Sequence, residues 1–103
     1  MPAFARVGRA DEIQPGEKMI VYVEGVPLVV VNLDGDFYAL EDVCTHDGGP
    51  LGEGELKDGR LVCPRHGAQF DVVTGAALTL PAFEPVPTYD VEIRNGEILV
   101  DLG

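Results

Sequence analysis

VEIRNGEILV, residues 91–100, alternates apolar and polar side chains on either side of an Asn95-Gly96 pair. A period of two puts alternate side chains on one face of a strand. Asn-Gly supplies the two left-handed residues that a two-residue type I′ turn requires. The stretch therefore reads as a β-hairpin. Similar punctuation recurs upstream at Glu24-Gly25, Asp34-Gly35, Asp58-Gly59 and Thr74-Gly75, each between segments rich in Val, Ile, Leu, Phe or Tyr. PLVVVNLDGDFYAL, residues 27–40, bends at Asp34-Gly35, and MIVYVE, residues 19–24, reads as a strand before it. No window of helical length keeps a 3.6-residue apolar period. The best candidate, ADEIQPGE at residues 10–17, is cut by Pro15 and allows at most one turn. The fold class is all-β, with short antiparallel strands joined by tight turns. Phe4, Tyr22, Phe37, Phe70 and Tyr89 are expected to fill the core.

The 103 residues fit one domain, 1–103, with no linker. A chain of this length buries only about 60–70% of its unfolded surface, so anything that ties its loops together adds stability. Eighteen acidic residues oppose seven basic ones, for a net charge of −11. Nucleic acid and anionic membranes, which select Lys/Arg-rich surfaces, are unsuitable partners. A basic patch on another protein suits this charge. The N-terminus, MPAFARVGRADEIQPG, shows no secretion-signal pattern, and the longest apolar run, Val26 to Val31, is too short for a bilayer. A cytoplasmic protein is expected. Its two cysteines then favour metal or redox chemistry over a structural disulfide.

Both cysteines and both histidines fall in one stretch, CTHDGGPLGEGELKDGRLVCPRHG, residues 44–67. They form Cys44-x-His46 and, after sixteen residues, Cys63-x-x-His66. The pairs sit in two loops: Cys44 to Gly52 after a strand ending near Leu40, and Cys63 to Gly67 between strands Arg60–Val62 and Gln69–Val73. A hairpin at Asp58-Gly59 would bring them side by side, making a two-loop subdomain over about residues 42–70. Two thiolates and two imidazoles suit zinc or an iron–sulfur centre. A common zinc finger takes both cysteines from one arm and both histidines from the other. Here each arm offers one of each, which suits a binuclear cluster with Cys₂ on one iron and His₂ on the other. Zinc, and a Cys44–Cys63 disulfide, are the simpler alternatives.

The motifs Cys44-Thr45-His46 and Cys63-Pro64-Arg65-His66-Gly67 resemble those of the Rieske [2Fe–2S] family. PLGEGEL, GAQFDVVTGAAL and LPAFEPVPTYDVEIRNGEILV extend the likeness to soluble bacterial Rieske-type ferredoxins over most of the chain. The resemblance implies a Rieske-type fold of stacked sheets and one [2Fe–2S] cluster per chain. It implies Cys44 and Cys63 as ligands of the inner iron and His46 and His66 as ligands of the outer one. Pro81 falls where the family has a proline loop over the cluster.

High-potential members of the family resemble one another in a serine after the second-loop glycine, a tyrosine two residues later and an extra cysteine in each loop. Here those hydroxyl positions are Ala68 and Phe70, and neither Asp47 to Gly49 nor Arg65 supplies a cysteine. A potential near the low end of the class, about −150 mV, is expected. Glu41, Asp42, Asp47, Glu53 and Glu55 add negative charge nearby in sequence, with Arg65 the nearby cation. The implied function is one-electron transfer from a flavin-dependent ferredoxin reductase to an acceptor such as a terminal oxygenase. No catalytic residue is expected: a mononuclear iron site would need further histidines, and the chain has none. The small subunit of an assimilatory nitrite reductase and a protein of iron–sulfur cluster assembly are alternative readings.

Overall fold

Leu28, Val29, Val30 and Val31 are all fully buried, and a strand buried on both faces must lie between two layers. The computed structural model describes residues 4–45, 49–65, 67–80 and 84–102 and contains those layers. In chain order its strands are β1 (Phe4–Arg9), β2 (Lys18–Val23), β3 (Val26–Leu33), β4 (Asp36–Glu41), β5 (Leu56–Lys57), β6 (Arg60–Val62), β7 (Gln69–Asp71), β8 (Thr88–Tyr89), β9 (Val91–Arg94) and β10 (Glu97–Asp101). β3 lies inside a four-stranded sheet of order β2-β3-β4-β8. A second sheet, β1-β10-β9, and a third, β5-β6-β7, complete the architecture, and every pairing is antiparallel.

The central sheet sends alternate residues into two cores. Val29, Val31 and Leu40 pack with Leu61 and Phe70 of the third sheet and with Val72 just after it. Leu28, Val30 and Ala39 pack instead with Ile98 and Val100 of the second. This two-sided burial explains the unbroken apolar run of β3. Each fully buried side chain of this size stabilises the fold by about 1.5–3 kcal/mol.

The turns follow the sequence reading. Glu24-Gly25, Asp34-Gly35, Asp58-Gly59 and Asn95-Gly96 each place two successive residues at positive φ, as a type I′ turn requires. ADEIQPGE yields a single 3₁₀ turn, Ala10–Glu12, with the Arg9 N–H donating to Glu12 Oε1 at 2.6 Å. Asn32, a buried polar side chain, is satisfied at both ends: Nδ2 donates to the Ile13 carbonyl at 2.8 Å, and Oδ1 accepts from the Gly35 N–H at 2.7 Å.

One expectation is corrected. Tyr22 is 75% exposed rather than buried. It sits opposite Pro27, one residue short of the last pair of the β2–β3 hairpin, on a strand with no second neighbour. Phe70 is fully buried, while Phe4, Phe37 and Tyr89 are half-buried. Among the described residues no helix is long and apolar enough to cross a membrane.

Candidate metal centre

β4 ends at Glu41 and delivers the chain to the first cysteine loop. Its entry is fixed where the Asp42 N–H donates to the Pro27 carbonyl at 2.8 Å. The Asp42 carboxylate then reaches across the loop. Its Oδ1 accepts from the Leu51 N–H at 2.8 Å and the Gly52 N–H at 2.5 Å. Inside that outer closure lies an inner one, from the Cys44 N–H to the Gly49 carbonyl at 2.7 Å.

The second loop is closed in the same manner. The Cys63 N–H donates to the Ala68 carbonyl, also at 2.7 Å, and the Gly67 N–H returns to the Cys63 carbonyl at 3.0 Å. Gly67 takes φ +74°, which a glycine adopts without penalty. In both loops, then, a cysteine amide is bonded to the carbonyl five residues on.

Glycines hold the loops together. A Cβ on Gly52 would lie 2.7 Å from Val29 Cγ2, and one on Gly54 only 1.7 Å from the Val62 carbonyl oxygen. The return of the first loop is thereby pressed against β6 immediately before Cys63. The Asp58-Gly59 hairpin sets the loops side by side, as the sequence anticipates.

Cys44 and Cys63 are both buried, within one apolar cluster that includes Leu51, Leu61, Ala68 and Phe70. No disulfide joins them. Two thiols outside any disulfide, enclosed at the meeting of two loops, fit a pair of metal ligands shielded from water on their inner side. His46, His66, Asp47 and Pro81 lie outside the described residues. Among the described residues no three His, Cys, Asp or Glu side chains gather at one point.

A third segment is fastened to both loops. The Leu78 N–H donates to the Gln69 carbonyl at 2.8 Å, and the Gln69 N–H donates to Thr79 Oγ1 at 2.9 Å. Thr45 Oγ1, beside Cys44, donates to the Glu84 carbonyl at 2.7 Å. Sequence reasoning passes over these roles. Asp42 counts there only as negative charge and Thr45 only as the spacer of Cys-x-His. Ala68 and Phe70 are fully buried, as befits residues read as non-donors.

A family model described as Rieske [2Fe-2S] domain matches residues 3–90. The ferredoxin component of biphenyl 2,3-dioxygenase from Rhodococcus jostii (strain RHA1) is 39% identical over 101 residues, covering 97% of this chain and 94% of that protein. The ferredoxin component of the naphthalene 1,2-dioxygenase system of Pseudomonas putida is 36% identical over 93 residues, covering 90% and 89%. In a solved complex of reduced oxygenase and oxidized ferredoxin in carbazole 1,9a-dioxygenase, one chain superposes with a TM-score of 0.91 at 36% identity. That match covers 98% of this chain and 94% of the other. Fold, enclosed cysteine pair and sequence agree: the chain belongs to the Rieske [2Fe-2S] domain family, whose cofactor is a [2Fe–2S] cluster.

Proposed function

We propose that residues 1–103 work as one Rieske unit and serve as a one-electron carrier between a flavin-dependent reductase and a terminal oxygenase. The observation that carries this reading is the pair of buried cysteines, not joined by a disulfide, in two matched loops, in a chain whose relatives are ferredoxin components of dioxygenase systems. Cys44 and Cys63 hold the inner iron, and His46 and His66 hold the outer one. The cluster, when bound, accepts and returns a single electron.

The chain's own residues position and shield. Leu51, Leu61 and Phe70 exclude water behind the cysteines. Ala68 and Phe70 offer no hydroxyl to a sulfur, and both cysteine amides are committed to their own loops. The absence of those two hydroxyls favours a low potential, about −150 mV. Pro64, Gly67, Leu78 and Leu80 are exposed beside the second loop, with Leu80 at 71%. With the exposed Arg65 among them, they form a largely apolar surface carrying one cation, suited to close approach by the acceptor. Outside it the surface is acidic, which matches a basic docking patch on either partner. The protein catalyses no substrate chemistry and works in the cytoplasm.

The test is the visible spectrum of protein purified in air, followed by EPR after dithionite reduction and then by reduction with a flavin-dependent ferredoxin reductase and NADH. A red-brown protein with a rhombic signal of average g below that of plant-type ferredoxins, reduced by the enzyme, is expected. A colourless protein holding zinc, or no metal, would overturn the proposal.

A further inference from the structure

β4 has a neighbour on each side for only part of its length. It pairs with β3 from Asp36 to Glu41, whereas β8 covers it only at Ala39 and Leu40. Beyond Tyr89 the chain leaves this sheet, and Val91 to Arg94 pair with β10 instead. β4 and β9 diverge, and a cleft opens where they part. It has two lobes of about 260 and 270 Å³ that share Phe37, Tyr38 and Val91. One lobe runs past Tyr89 to Val73, and the other past Asp36 to Ile93. Val73 and Ile93, one in each lobe, are 52% and 42% exposed, so each lobe presents an aliphatic side chain to a partner.

The backbone edges of the cleft are open. Alternate residues of an antiparallel strand aim their N–H and C=O groups at the same neighbour. The Glu41 N–H donates to the Pro87 carbonyl at 2.9 Å. Glu41, Ala39 and Phe37 therefore face the β8 side, and β8 stops before Phe37. On β9 the Asp90 carbonyl accepts from the Asp101 N–H at 2.9 Å. Glu92 and Arg94 thus face β10, while Val91 and Ile93 aim their peptide groups away from it, towards the cleft. The charged side chains lining the lobes are Asp36 and Asp90, both acidic. Arg94, next to Ile93, is held by Glu92 at 2.9 Å.

We propose that this cleft docks an extended, cationic segment of a partner protein. Apolar side chains of the segment enter the two lobes, Lys or Arg side chains meet Asp36 and Asp90, and its backbone bonds to the open edge at Phe37, Val91 and Ile93. A second copy of this chain is the poorer occupant, because two acidic cleft rims on molecules of charge −11 repel each other. The docked segment leaves the cysteine loops free. Phe37 to Glu41 alone spans about 13 Å of strand, and Cys44 lies beyond it. The cleft is a tether site, separate from the face that exchanges electrons.

The test is titration of cluster-loaded, ¹⁵N-labelled protein with the peptide acetyl-Lys-Val-Arg-Val-Lys-amide, followed by amide chemical shifts. Shifts concentrated at residues 35–38, 73 and 91–93 are expected, with no binding of acetyl-Glu-Val-Glu-Val-Glu-amide. Asp36→Asn with Asp90→Asn should weaken binding about fivefold, the size expected for two exposed charge pairs. Ile93→Glu should weaken it further while leaving the visible spectrum of the cluster unchanged. Shifts scattered over the acidic surface or gathered at the cysteine loops would overturn the proposal. So would unchanged affinity in these variants, or a dimer in sedimentation that Ile93→Glu dissociates.

Discussion

A methyl group at residue 54 would lie 1.7 Å from the Val62 carbonyl oxygen and 2.9 Å from its carbonyl carbon. Both obstacles are backbone, so neither can swing aside. Gly54→Ala should cost about 1–3 kcal/mol, as overpacking does. Urea unfolding should show the loss, and iron content should fall as the cysteine loops separate. Single residues also set the potential. Ala68→Ser with Phe70→Tyr adds two hydroxyls in the core that holds both cysteines. At about 1 kcal/mol for each hydrogen bond, the potential should rise by roughly 50 mV per bond formed. An unchanged value in spectroelectrochemistry would mean that neither hydroxyl reaches a sulfur. His66→Cys should act in the opposite direction, replacing a neutral ligand with an anion and lowering the potential. A raised potential would remove His66 from the ligand set.

At the scale of the element, the β4–β8 contact titrates. Tyr89 Oη donates to Glu41 Oε1 at 3.2 Å. Burial, then the Glu41 charge, then this hydrogen bond raise the phenol above its usual value near 10. A raised acid favours the protonated form in the folded state. Its contribution is therefore complete below pH 10 and is lost as pH climbs towards the folded value. Tyr89→Phe should flatten the fall in Tm above pH 10 relative to the parent, measured by calorimetry. How legible an element is in sequence depends on how local its cause is. Asn95-Gly96, Asp34-Gly35 and Asp58-Gly59 carry their turn in two residues, so their hairpins can be read directly. β1 cannot be read that way. FARVGR alternates poorly, breaks register between Arg6 and Gly8, and is a strand because β10, some 90 residues later, lies beside it. β8 has only two residues and exists through Ala39 and Leu40. Tyr22 shows the converse failure: an aromatic residue in a strand reads as core, but the end of an edge hairpin faces solvent. The cysteine loops were legible from ligand spacing, whereas Asp42 and Thr45 were not, because their partners come from the folded path of the chain.

Across the whole molecule, charge and layering act together. A net charge of −11 on 103 residues makes encounter with a basic partner strongly dependent on ionic strength. The second-order rate of reduction by the reductase should fall about tenfold or more between 20 and 300 mM salt in stopped-flow measurements. A rate independent of salt would argue against charge-guided docking. The three sheets also divide the work. The central sheet buries both faces and fixes the frame, the second sheet closes one side, and the third carries the loops.

The matched closure of those loops bears on speed. An electron moves quickly only when few atoms must shift to suit the new charge. Each cysteine amide is already fixed at 2.7 Å to a carbonyl of its own loop, and close-packed aliphatic side chains stand behind both sulfurs. Among the described residues, the buried cluster around the cysteines leaves little room to relax as a bound centre changes oxidation state. A small reorganisation energy is expected, so electron transfer to a docked, oppositely charged partner should be fast even where the driving force is near zero.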